Sequence, residues 1–196
     1  MDADASGFVP GSGAGAMILE DLESALERGA NIYAEVLGGN CNSGGQRGEG
    51  TMTAPNPVAV QKCIRDAMID AKISPLEIDA INGHLTATSK DSLEIGNWVT
   101  ALDRSGDDFP YINSLKSMVG HCLSAAGSIE SVAAVLQIYH QFVFPNINID
   151  TLHPEIENLI AASSVPTQML QKELRIVAKA SFGFGDVNGC VIFKKY

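Results

Sequence analysis

Three short stretches of the 196-residue chain hold residue types that can do chemistry together. In "INGHLTATSKDSLE", His84 follows an apolar run, with Thr86 and Thr88 two and four positions on. A histidine at a strand end can exchange or donate a proton, and alternating threonines offer hydroxyls to a polar, extended ligand. In "INSLKSMVGHCLSAAGS", Lys116 precedes His121 by five positions. A nearby ammonium opposes imidazolium formation, so the ring stays neutral and donates one N–H. The helix expected after it adds a positive N-terminal end that favours anions. In "SFGFGDVNG", glycines on both sides of Phe184 let backbone N–H groups approach a ligand, as an oxyanion hole requires. Read singly, each has a plain alternative: a histidine at a strand end, a structural lysine with a core histidine, an ordinary hairpin turn. His140, late in a helix, and His153, in polar "DTLHPE", read as structural.

The elements that must position these residues read as alternating strands and helices, hence an α/β class. "AGAMILE" reads as a short buried strand, and Asp21 caps a helix "LESALERG" that Gly29 ends. "NIYAEVLGG" reads as a second strand, and the Gly- and Pro-rich residues 40–57 as a loop. A helix is expected from Val58, on the spacing of Val60, Ile64, Ala67, Met68 and Ala71. Ser74 and Glu77 have capping-box spacing, but Pro75 favours a turn into the strand "IDAING". Ser92 to Leu102 reads as helix and "YINSL" as strand. Ala125 to Phe142 reads as a long helix, apolar nearly all round and so buried. "RIVAKASF" and "GCVIFKKY" read as strands around a turn from Gly183 to Gly189.

Composition narrows the function classes. The hydrophobic fraction is 45 % and the charged fraction 18 %, which suits a packed core and not a disordered chain. A net charge of -10 lacks the basic stripe of a nucleic-acid surface. The four cysteines, Cys41, Cys63, Cys122 and Cys190, form no CxxC pair, so neither zinc nor a disulfide framework is expected, and free thiols suit a reducing compartment. No signal peptide or long apolar run is present, and a cytoplasmic protein without membrane contact is the expectation.

The three stretches occur in order, and with two others they resemble the C-terminal half of the β-ketoacyl-acyl carrier protein synthases, the ketosynthases or condensing enzymes of fatty acid and polyketide synthesis. "SGFVPGSGAGAMILEDLESALERGANIYAEVLG" is similar to the family's "DGFV.GEGAG..VLE.LE.A..RGA.IYAE..G", and "MTAPNP" to "TAP.P". "GHLTATSKDSLE" resembles "AHGTGTP.GD..E", "KSMVGHCLSAAG" resembles "KS..GH..GAAG", and "SFGFGDVNG" resembles "SFGFGGTN". The resemblance covers essentially the whole chain.

It implies the C-terminal half of a thiolase-like αβαβα fold, a mixed sheet packed by helices. Residues 1–39 would be the last strands of the N-terminal half and 40–196 the C-terminal half. It implies an acyltransferase that condenses an acyl thioester with malonyl-carrier protein after loss of carbon dioxide. By resemblance, His84 and His121 are the catalytic histidines, Lys116 the motif lysine, and Glu94 the acid that pairs with it. Thr86 and Thr88 would bind the pantetheine arm, and Phe184 would be the gate whose N–H helps to form the oxyanion hole. No metal or redox cofactor is implied; substrates ride on the phosphopantetheine of an acyl carrier protein.

Four departures stand out: Leu85 for the glycine of "HGT", one residue fewer between Thr88 and Asp91, Ser12 for the glutamate of "GEGAG", and Asp186 with Val187 for "GT". An acid at position 186 would oppose an enolate if it pointed inward. The family's nucleophilic cysteine lies upstream of "DGFV", so the chain is expected to be a fragment, inactive alone. Its partners would be a missing N-terminal half, an acyl carrier protein, and a second copy or related chain in a dimer. The alternative is a non-catalytic partner resembling a chain-length factor, which retention of both histidines and Lys116 disfavours. A thiolase is weaker still, since "NGCVIF" around Cys190 lacks the "CGGG" context.

Overall fold

The computed structural model describes residues 1–196. In chain order its elements are α1 (Leu22–Glu27), β1 (Glu35–Ser43), α2 (Pro57–Ala71), β2 (Ala80–Asn82), α3 (Asp91–Leu102), β3 (Tyr111–Asn113) and α4 (Lys116–Val119). They continue with α5 (Ala126–His140), β4 (Phe142–Val143), α6 (Pro154–Glu157), β5 (Leu170–Gln171), β6 (Ile176–Gly183) and β7 (Val187–Lys194).

Five strands form one mixed sheet in the order β1-β7-β6-β2-β3. β1, β7 and β6 run antiparallel, whereas β6, β2 and β3 run parallel. Parallel strands send their carboxyl ends to one edge of the sheet, where ligands of α/β folds gather. Here that edge carries the loops after Asn82, Asn113 and Gly183, which hold His84, Lys116 with His121, and Phe184. The mixed α/β architecture is the class expected.

Helices cover both faces of β6, which is why "IVAKASF" is buried almost throughout. On one face a 26-residue apolar cluster joins α2, through Cys63, Ile64 and Ala67, to Ala178, Ala180, Phe182 and Ile192 of the sheet. On the other, Ala134 and Ile138 of α5 pack on Val177 and Phe193.

Several expectations are corrected. Residues 14–20 form no strand, and Ile18 and Leu19 are 93 % and 73 % exposed. An apolar run becomes a strand only beside a partner strand, and β1, the nearest candidate by sequence, pairs with β7 alone. β1 itself extends to Ser43, because its register with β7 continues through Asn42↔Asn188 and Ser43↔Val187. Residues 39 and 40 are both part of this strand. The hairpin between β6 and β7 turns over Phe184 to Asp186, tighter than Gly183 to Gly189. The long helix starts at Ala126 and ends at His140, and it is buried along one stripe only. That stripe includes Glu130 and Gln137, while Leu136 and Tyr139 are exposed. Asp21 does cap α1, accepting from the Ser24 N–H, and Glu77 accepts from the Ser74 N–H in the turn at Pro75.

Candidate active site

His84 leaves the end of β2 and is fixed through its backbone. The His84 and Leu85 N–H groups donate to the two oxygens of Glu94 on α3, each at 2.7 Å. One buried carboxylate thus shapes the loop. Burial, opposed by those two hydrogen bonds, pushes Glu94 up to about 7. Asp91, one turn earlier on α3, accepts from the Thr86 N–H at 2.9 Å. The Oγ atoms of Thr86 and Thr88 are 3.1 Å apart. The Leu85 side chain is buried in the main core.

His121 follows Gly120, whose φ of 75° is a conformation open to glycine at little cost. The residue is tied to the N-terminal segment: its N–H donates to Val9 O at 2.7 Å, and its carbonyl accepts from Gly11 N at 3.0 Å. Its Nδ1 accepts from the Leu123 N–H at 3.0 Å, which places the ring proton on Nε2. The two imidazole centroids are 5.3 Å apart at 83°. Phe8 meets His121 edge-on, with centroids 5.2 Å apart.

Both rings are held neutral. Burial, then the positive charges of Lys116 and Lys179, press His84 down to about 2, and its Nδ1 is buried without a hydrogen-bond partner. His121 is lowered as well, by burial first and then by Lys116. Two neutral rings can each present one N–H to a developing oxyanion.

His84, His121, Thr86, Thr88, Phe184 and Phe8 line one cavity of about 690 Å³. Phe184, at the hairpin tip, is 65 % exposed, in keeping with a residue at a mouth. Lys116 opens instead on an adjoining cavity of about 590 Å³ that shares His121 and Phe8. The sequence-expected residues therefore converge, with one correction. Lys116 pairs with Glu130 of α5, not with Glu94, whose two oxygens are engaged by backbone N–H groups. Glu130 and Lys179 were not singled out from sequence. The signal existed: each is the charge in an apolar stretch, Glu130 on the buried stripe of α5 and Lys179 within "IVAKASF".

Asp186 does not face the cavity. It is fully buried under the loop before α2, accepting from Gln46 N at 2.9 Å and Asn56 N at 2.8 Å. A Cβ on Gly44 or Gly50 would lie 2.0 Å or 2.5 Å from its Oδ2, so the glycines there leave room for the carboxylate. None of the four free cysteines lines the His84–His121 cavity. Burial raises the Cys63 thiol to about 11 and Cys190 higher still. No group of three or more His, Cys, Asp or Glu side chains is gathered as a metal site, and no helix is long and apolar enough to cross a membrane.

Comparison with known proteins places this geometry. The model of the β-ketoacyl synthase C-terminal domain matches residues 33–150. The chain is 38 % identical to 3-oxoacyl-[acyl-carrier-protein] synthase I, chloroplastic, of Arabidopsis thaliana, over 100 % of this chain and 40 % of the relative. Among solved structures, the ishigamide ketosynthase/chain length factor superposes with a TM-score of 0.90 at 35 % identity, over 100 % of this chain and 46 % of that one. A type II polyketide synthase acyl-carrier protein in complex with its ketosynthase, AntDE:AntF, gives a TM-score of 0.79 at 34 % identity, over 90 % and 42 %. The chain spans less than half the length of each of these relatives.

Proposed function

The chain belongs to the β-ketoacyl synthase family, whose C-terminal domain it carries, and from that premise we propose that it supplies the decarboxylation half of a ketosynthase site. The substrate in this reading is a malonyl thioester carried on the phosphopantetheine arm of an acyl carrier protein. The arm enters past Phe184 and lies along Thr86 and Thr88. The bond from the α-carbon to the carboxylate breaks and carbon dioxide leaves. The electron pair moves into the thioester as an enolate, whose oxygen accepts N–H hydrogen bonds from His84 and His121. The enolate carbon then attacks an acyl thioester, forms the new carbon–carbon bond and displaces the sulfur as a thiolate.

The observation that carries this reading is the pair of neutral imidazoles 5.3 Å apart in one cavity, with the His121 proton assigned to Nε2. Neutral donors stabilise a forming enolate without first protonating its carboxylate precursor. The acyl thioester would sit on a cysteine outside this chain, since no cysteine here lines the cavity. The carrier-protein partner is supported by the AntDE:AntF likeness, whose ketosynthase is bound to its acyl-carrier protein. No metal or redox group enters these steps.

A second reading, a partner subunit without turnover, draws on the likeness to the ishigamide ketosynthase/chain length factor. The intact histidine pair favours the first. The test is His121→Ala in the full-length protein: malonyl decarboxylation, followed as carbon dioxide release, should be abolished. Decarboxylation that persists would overturn the role given to His121.

A further inference from the structure

Beneath the two histidines lies a buried cluster of three charges. Glu130 of α5 is 2 % exposed and is shared by two lysines. Lys116 reaches one carboxylate oxygen, and Lys179 of β6 lies 2.8 Å from the other. Lys179 is itself 2 % exposed. Three oxygens surround its Nζ: Glu130 Oε2, the carbonyl of Ala180, and Ser181 Oγ at 3.0 Å. The ammonium donates to the last two and meets the first as an ion pair.

A lysine–glutamate pair by itself is neutral, and one lysine would satisfy the pair. The second leaves one positive charge over. A fully buried lysine is costly to solvate poorly and is seldom kept without a task. We propose that Lys179 is a positioning residue of the site, acting through Glu130 to leave a net positive charge near His84 that opposes its protonation and favours the enolate.

The inference rests on the decarboxylation reading above. Its surroundings are consistent. Lys179 is among the charges that lower His84. The other titratable groups around it are Lys116 on α4, Glu94 and Asp91 on α3, His121, and the raised thiol of Cys190 on β7. Glu94 carries its proton below about 7, so it does not cancel the surplus there. Burial pulls the Lys179 ammonium down and Glu130 opposes that pull.

The test separates charge from hydrogen bonding. Lys179→Met and Lys179→Gln remove the charge; Gln keeps polar contacts. Lys179→Arg restores the charge, and the adjoining groove of about 480 Å³, lined by Gly39, Cys41 and Ser131, has room for the longer head. On the 196-residue chain, imidazole nitrogen NMR should show the His84 ionisation midpoint raised by about one unit, tenfold, in Met and Gln and near the parent in Arg. An unchanged midpoint in Lys179→Met, or a parental one in Lys179→Gln, overturns the proposal. If the native spectrum is lost before His84 ionises, kcat decides. In the full-length protein, decarboxylation kcat should then fall about tenfold in Met and Gln with little change in KM, and Arg should recover it; an unchanged kcat overturns it. Loss of decarboxylation in His121→Ala alongside unaltered Lys179 variants would refute this inference alone. Persistence in His121→Ala would refute the reading beneath it.

Discussion

Replacing His84 by Gln should change how stability depends on pH, with a sign and size set by two buried groups. His84 is pressed from 6.5 to about 2, so between those values the unfolded chain binds a proton that the native chain refuses. Its contribution is fully present above 6.5 and is lost as pH falls. Glu94 is raised from 4.5 to about 7, so in that window the native chain holds a proton that the unfolded chain has released. Its contribution is fully present below 4.5 and is lost as pH rises. Each slope is about 1.4 kcal/mol per pH unit, of opposite sign. Between pH 4.5 and 6.5 they cancel in the parent. His84→Gln removes one and exposes the other. Urea denaturation of both proteins across that range should show the parent's advantage over the variant growing by about 2.7 kcal/mol from the acid end to the neutral end. A difference independent of pH would mean that native His84 protonates normally. The argument that burial and two lysines keep it a neutral donor would then be wrong.

Glu130→Ala should destabilise the chain by about 3–5 kcal/mol in chemical denaturation, because it leaves two buried lysines facing each other without their shared carboxylate. Asp186→Ala should cost about 1–3 kcal/mol and speed amide hydrogen exchange at Gln46 and Asn56, the two donors it would orphan. A thiol reagent should modify Cys41 rapidly in the native chain, with Cys63, Cys122 and Cys190 reacting only on denaturation; fast labelling of a second thiol would contradict the burial described.

Some of the fold could be read directly from local chemistry. Asp21 caps α1 as its position implied, because an N-cap bond spans only three residues. The α2 stripe of Val60, Cys63, Ile64 and Ala67 is buried on the period of a helix. The site motifs were legible for the same reason: His84 with its threonines, and Lys116 with His121, each sit within one strand-end loop. Where partners came from afar, reading failed. "AMIL" has strand chemistry but no strand to pair with, and β1 runs on through Gly38 and Gly39 because β7 pairs with it. Asp186 looked like a threat to the site until its carboxylate was seen to hold a loop 130–140 positions away in sequence.

By itself, then, the sequence determined the α/β class, the family likeness and the identity of the polar residues at three strand ends, since these depend on residue type and short spacing. Only the tertiary structure decided that those ends share one edge, since strand order and direction are set by packing. It also decided which acid serves Lys116. Glu94 and Glu130 are both plausible by charge, but helix phase aims Glu130 under Lys116 and Lys179, while Glu94 closes on backbone amides. Low dielectric then gives that choice its weight, because burial first and the neighbouring lysine charges after it disfavour the charged form of His84.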